Sequence, residues 1–165
     1  MALTFNHATI DDLPFIVEVY NSTIKGRMVT ADTEEVTVES RIGWFTEHNR
    51  ETRPLFIVSD NDIQVGWLSY QDFYGRPAYN ATAEISIYID EQYRGKGYGK
   101  TILQYSIETA GEYGIKTLLG FIFSHNTPSL KLFYSMGFTD WGNLENIAVL
   151  DGIERSLTIV GKRVA

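Results

Sequence analysis

The chain has 165 residues, 44% hydrophobic and 13% aromatic, enough to bury one sizeable core, and a single domain over 1–165 is expected. A formal charge of −7 argues against a broad phosphate-backbone surface, so nucleic acid is not an expected partner. The absence of cysteine excludes disulfides, thiolate metal sites and a cysteine nucleophile; with no signal-peptide pattern or membrane-length apolar run, a cytoplasmic protein without a membrane partner is expected.

Leu3 to Ala8 reads as a strand. Thr9 with Asp11 and Asp12 makes a helix start, and Ile16, Val19, Tyr20 and Ile24 recur at helical spacing, so a first helix is expected to about Lys25. A polar stretch from Gly26 to Glu35 breaks the period. Thr37 to His48 then makes a second, short helix with Ile42 and Phe45 inward. Leu55 to Ser59 and Gln64 to Asp72 pair as a hairpin around Asp60-Asn61-Asp62, and Ala81 to Ile89 is a further strand. The next helix runs to Tyr113 with Ile102, Leu103, Ser106, Ile107 and Ala110 on one face. Thr117 to Phe123 is a buried strand, Ser129 to Met136 a short helix, and two closing strands flank Asp151-Gly152. The order β-α-α-β-β-β-α-β-α-β-β is α/β with a mixed sheet.

Between the fourth strand and third helix lies Gln92-Tyr93-Arg94-Gly95-Lys96-Gly97-Tyr98-Gly99-Lys100-Thr101. Alternate glycines remove the Cβ atoms that keep a ligand from the backbone, so successive N–H groups can converge on an anion at the helix start. Arg94, Lys96 and Lys100 add charge-assisted donors. Two familiar phosphate motifs fail on spacing: a P-loop needs glycine where Arg94 stands, and a dinucleotide fingerprint needs one where Lys100 stands. His7, His48 and His125 show no metal-ligand spacing, so no metal is expected.

Arg94-Gly95-Lys96-Gly97-Tyr98-Gly99 resembles the pyrophosphate loop of the GNAT superfamily of acyl-CoA N-acyltransferases, Gln/Arg-x-x-Gly-x-Gly/Ala, and the element order is similar to the fold of that superfamily, a mixed, mostly antiparallel sheet flanked by helices. Asn126-x-x-Ser129-x-x-Leu132 followed by Gly137-Phe138 resembles its fifth-strand and fourth-helix signature. Tyr20-Asn21, Trp44-Phe45, Glu84 opening a strand, Asn126-x-Pro128-Ser129 and the closing hairpin resemble the phosphinothricin and methionine sulfoximine N-acetyltransferases, homodimers that acetylate the α-amino group of small amino-acid analogues. The resemblance implies acetyl-CoA as acyl donor, held by the loop 94–100 (Arg94, Gly95, Lys96, Gly97, Tyr98, Gly99, Lys100), with its pantetheine arm along Ile87, Tyr88 and Ile89 and against Asn126 and Ser129. It also implies a small-molecule amine acceptor, a homodimer, and direct attack without a covalent enzyme intermediate.

On the fourth strand Ala83, Ile85, Ile87 and Ile89 alternate with Thr82, Glu84, Ser86 and Tyr88, so one face is apolar and the other carries a carboxylate. An alkyl ammonium titrates near 10.4 and must lose a proton before it attacks at neutral pH. From the residues alone Glu84 also fits an ordinary solvated glutamate; the resemblance implies the general base. Where the superfamily carries a tyrosine that protonates the leaving thiolate, this chain has Phe133, and Tyr134 next to it is about 100° around the helix, so no general acid is assigned. For the acceptor, the resemblance points to the loops 25–33 and 71–79: Met28, Thr30, and Phe73, Gly75, Arg76, Pro77 and Tyr79, with Arg76 to fork a carboxylate. That segment also fits a wet surface loop. The competing functions are acetylation of a protein N-terminus or polyamine, and a non-catalytic acyl-CoA sensor.

Overall fold

The β-branched and aromatic stretches become seven strands of one sheet in a computed structural model that describes residues 2–165. These are β1 (Leu3–His7), β2 (Leu55–Asp60), β3 (Ile63–Asp72), β4 (Thr82–Ile89), β5 (Thr117–Phe123), β6 (Thr139–Leu150) and β7 (Ile153–Arg163), in spatial order β1-β2-β3-β4-β5-β7-β6. Only β4 and β5 run parallel; all other neighbours are antiparallel. The helices are α1 (Leu13–Ser22), α2 (Ile42–Thr46), α3 (Tyr98–Thr109) and α4 (Thr127–Ser135), so the mixed α/β order read from the sequence is the order of the fold. Asn61 and Asp62 turn β2 into β3 with φ of 49° and 68°, the left-handed pair that a tight hairpin demands.

The first two helices are shorter than their periodicity predicts. Residues Ile10–Asp12 form a 3-10 turn ahead of α1, Asp12 returns its carboxylate to the Thr9 N–H at 2.8 Å, and α1 ends at Ser22 instead of Lys25. Thr23 and Ile24 are nonetheless buried, packed in as loop residues. In the second helical segment a 3-10 turn over Glu39–Arg41 precedes α2, and Ile42, expected inward, is 44% exposed. Trp44 and Phe45 carry the packing instead, because so short a helix can bury only one edge.

The sheet is covered on both faces. One core holds Leu68, Tyr70, Ile85, Ile102, Leu103, Leu118, Phe133 and Phe138 under α3 and α4; the other holds Leu13, Ile16, Val19, Ile57 and Trp67 under α1. Each such fully buried side chain stabilises the fold by roughly 1.5–3 kcal/mol. β4 divides its residues between them: Ala83 and Ile85 are buried in the first, and Glu84, Ser86 and Tyr88 face the second.

The geometry that matters for function lies at the centre. β4 and β5 pair only at Thr82↔Thr117, Ala83↔Leu118 and Glu84↔Leu119. Beyond Glu84, β4 stays with β3 as far as Ile89 and β5 stays with β7 as far as Phe123, so the two strands part and the β5-facing backbone of residues 85–89 has no partner strand.

Candidate active site

The parting of β4 and β5 opens a cleft of about 440 Å³. Ile85 to Ile89 form one wall, Gly120 to Ile122 the other, Ser129, Leu132 and Phe133 of α4 close one side, and Arg94, Gly95 and Gly99 also line it. Gly95 and Gly97 have φ of 77° and 79°, a conformation that strains any residue with a Cβ. Gly97 caps α3, whose first-turn N–H groups have no intrahelical partners. Gly99 is set by contact, since a Cβ there would lie 3.1 Å from Leu132 Cδ2. The sequence assigns all of residues 94–100 to one task; the structure divides them. Arg94 lines the cleft and is only loosely tied to Glu91, at 3.9 Å; Lys96 lies 5.6 Å from the Tyr93 ring centroid, and neither Lys96 nor Lys100 lines the cleft. The Tyr98 side chain turns into the core and donates to Asp60 Oδ2 at 2.5 Å, so only its backbone is available to a ligand.

α4 starts at the far wall. Asn126 Oδ1 accepts from the Ser129 N–H at 3.3 Å, and Asn126 Nδ2 donates to the Met28 carbonyl at 3.1 Å. His125 Nε2 meets the Arg27 carbonyl at 2.8 Å, so the segment after α1 is stitched to the β5–α4 turn. Asn126 therefore lines the cleft with each end of its carboxamide making one hydrogen bond within the protein, which fixes its orientation and leaves one N–H and one oxygen lone pair for a ligand. Phe133 is buried, edge-on to Phe138 with centroids 5.0 Å apart, and a Cβ on Gly120 would come within 2.9 Å of its ring. Tyr134 points away from the cleft and donates to Asp140 Oδ1 at 2.5 Å.

A second cavity, about 290 Å³, lies on the α1 side of the sheet and is lined by Ile16, Val17, Tyr20, Val36, Arg41, Trp44, Trp67, Gln71, Glu84, Ser86 and Tyr88. Ser86 and Tyr88 line both cavities, so the two meet across β4. Glu84 sits two residues from that junction, opposite Gln71 on β3, and burial pushes its carboxyl above the usual carboxylate range. Tyr88 stacks on Trp67 at 4.5 Å, and burial raises its phenol well above the ordinary value, so it stays protonated. Arg41 Nη2 donates to Asp32 Oδ2 at 2.8 Å; the Tyr20 hydroxyl donates to the same oxygen and shares a hydrogen bond with Thr30 Oγ1.

None of the acceptor residues read from the sequence lines the Glu84 cavity. Met28 lines the cleft beyond β4, and Thr30 is buried behind Tyr20. Phe73, Gly75, Arg76, Pro77 and Tyr79 lie in an exposed loop outside the lining of the Glu84 cavity, because the chain leaves the sheet at Asp72 and rejoins it only at Thr82. Phe73, Tyr74 and Tyr79 pack on one another there at 5.6–6.0 Å. Gln71, which opens the predicted loop 71–79, does line the Glu84 cavity, as do Arg41 and Ser86, which the sequence did not nominate. Alternation along β4 already put Ser86 beside Glu84; nothing in the pattern marked Arg41.

A match to the family described as Acetyltransferase (GNAT) spans residues 16–138. The chain belongs to the GNAT acetyltransferase family. It is an acyl-CoA N-acyltransferase, and acetyl-CoA is its acyl donor. YwnH of Bacillus subtilis, carried under the provisional name phosphinothricin acetyltransferase, is 51% identical over 99% of this chain and 100% of that protein. The L-methionine sulfoximine/L-methionine sulfone acetyltransferase of Pseudomonas aeruginosa is 29% identical over 97% of this chain and 94% of its own. Among solved structures, an acetyltransferase of Salmonella typhimurium with its cofactor acetyl-CoA superposes with a TM-score of 0.89 at 25% identity, covering 100% of this chain and 95% of that one.

The cleft between β4 and β5 suits that donor. An unpartnered strand edge can take an extended amide-bearing arm, and left-handed glycines at a helix start can take a pyrophosphate.

Proposed function

We propose that this acetyltransferase acetylates the α-amino group of a small amino acid or amino-acid analogue, of the methionine sulfone, methionine sulfoximine or phosphinothricin kind. One observation carries the reading: a cavity of about 290 Å³ that contains Glu84 joins the donor cleft at Ser86 and Tyr88. Its size suits a small acceptor. In this reading residues 85–89 of β4, the loop Arg94 to Gly99 and the start of α4 hold the donor, whose thioester supplies the acyl carbon.

Glu84 takes one proton from the acceptor ammonium, directly or through a water. The freed nitrogen lone pair then forms the C–N bond and the C–S bond breaks. The nitrogen sheds a second proton as the thiol reforms, so the balance is one amide, one thiol and one proton released. No covalent enzyme intermediate is required, and the chain has no cysteine to form one. Tyr134 takes no part, since its hydroxyl is committed to Asp140 on the surface. A thiol with a reference value near 8.5 can depart as the anion, so no dedicated acid replaces the phenol lost at Phe133.

We assign the protein to the cytoplasm and read it as a homodimer. The β6–β7 hairpin leaves Trp141, Ile147, Val149 and Ile153 at least half exposed, an apolar surface that a second copy would cover. Arg76 and its aromatic neighbours reach an acceptor in this reading only if the second copy carries them to it.

The test is a thiol-release assay with acetyl-CoA against methionine sulfone, methionine sulfoximine, phosphinothricin, spermidine and a peptide N-terminus. Turnover confined to the last two would overturn the acceptor assignment, and none with any amine would favour the acyl-CoA sensor.

A further inference from the structure

The Glu84 cavity has two charged residues on its wall, Glu84 and Arg41; every other lining side chain is neutral. The rings of Tyr20, Trp44, Trp67 and Tyr88 line the same cavity. An anion and a cation lining one aromatic cavity complement a zwitterion. A polyamine would call for a second acid where Arg41 stands, and a peptide N-terminus has an amide where an amino acid has its carboxylate.

Arg41 is aimed by its surroundings. It lies at the end of the 3-10 turn Glu39–Arg41, its Nη2 donates to Asp32 at 2.8 Å, and its guanidinium carbon stands 5.0 Å from the centroid of the Tyr20 ring. The Tyr20 hydroxyl donates to the same Asp32 oxygen, so that hydroxyl must accept from Thr30. The chain of donors thus runs from Thr30 through Tyr20 to Asp32, and Asp32 is held from two sides. A guanidinium has five N–H donors; among the described residues Asp32 is the one hydrogen-bond partner of this one, which leaves donors for a ligand. Its side chain is 29% exposed, neither desolvated enough to need a second internal partner nor free in solvent.

We infer that Arg41, held by Asp32 and Tyr20, is the residue that receives the α-carboxylate of the acceptor while Glu84 receives its ammonium. This rests on the proposed function and deepens it: the acceptor is a free α-amino acid, selected by the two charged residues of the cavity wall. Asp32 is a positioning residue, acting through Arg41. Arg76, the guanidinium that the sequence nominates for this task, lies outside the cavity.

The experiment compares methionine sulfone with its methyl ester in the native enzyme, Arg41→Gln and Arg41→Lys. The native enzyme should favour the acid, with a KM lower by ~10- to 100-fold, the range for a charged hydrogen bond. Arg41→Gln should erase that preference, Arg41→Lys should keep part of it, and the rise in melting temperature on adding acetyl-CoA should persist in both. Equal KM for acid and ester in the native enzyme overturns the inference, and that arm needs no variant to fold. So does a preference that survives Arg41→Gln, or turnover of spermidine but not methionine sulfone. Absence of thiol release with every amine would instead sink the acetyl-transfer reading of the site.

Discussion

Glutamine at position 84 keeps the shape of the side chain and removes its basicity, and the expected loss can be worked from the chemistry of the cavity. An alkyl ammonium titrating near 10.4 is free base in only about one molecule in 2,500 at pH 7, an upper bound on the deficit for the more acidic α-ammonium of an amino acid. A base beside the nitrogen can recover at most that factor, and general bases contribute typically ~10²- to 10⁴-fold. Glu84→Gln should therefore lower kcat/KM at pH 7 by roughly 10²- to 10³-fold, about 3–4 kcal/mol of transition-state stabilisation, while acetyl-CoA still raises the melting temperature. Because the variant depends on free amine from solution, the gap should narrow by about tenfold per pH unit above 7. Thiol release at saturating acetyl-CoA, measured from pH 6 to 10 with methionine sulfone, reads both. Activity within a few-fold of native at pH 7, or a gap that stays constant with pH, refutes Glu84 as the base. The same substitution has a stability consequence of opposite sign. Burial raises the folded-state value of Glu84 above the usual 4.5, so ionising it costs the folded protein more than the unfolded chain. That cost is absent below the unfolded value and grows as pH rises through it, at about 1.4 kcal/mol per unit of displacement. Glu84→Gln should melt higher than native at pH 7 and no higher at pH 4; a lower melting temperature at pH 7 would show that the ionised carboxylate is a stabilising group.

Gly97→Glu puts a carboxylate where the loop is to receive phosphate and a Cβ at a φ of 79°, so the acetyl-CoA-dependent rise in melting temperature should disappear; an unaltered rise removes the loop from the donor site. Gly66→Ala places a Cβ 2.3 Å from the Tyr88 carbonyl oxygen on the paired strand, where only backbone can move. It should cost about 1–3 kcal/mol or more by urea unfolding and weaken turnover through displaced Tyr88; native stability would refute the close approach. Tyr134→Phe should leave kcat nearly intact, whereas a loss above about tenfold would mean that its phenol reaches the leaving thiolate.

Local chemistry made much of the molecule legible without coordinates. β5 begins and ends at Thr117 and Phe123 as its unbroken apolar run predicts, the turn residues Asn61 and Asp62 mark the hairpin, and alternation along β4 puts Glu84 on the polar face. The glycines at 95 and 97 announce their left-handed turns because nothing but backbone geometry selects them. Period and composition are properties of neighbours in sequence, and those features depend on neighbours alone.

The proposed acceptor cavity did not follow from such rules. Arg41 reaches the Glu84 cavity because a short 3-10 turn and Asp32, nine residues earlier, aim it there, and Arg76 misses the cavity because its loop leaves the sheet before the strand that carries Glu84 begins. The pairing of Trp67 with Tyr88 and Gln71 with Glu84 is a matter of register between β3 and β4. The cleft itself exists because β5 is held by β7, more than thirty residues downstream, while β4 is held by β3. A chain spells out which groups lie next to one another along the backbone; where two strands part, and which charge faces which across the gap, is settled only when distant segments pack.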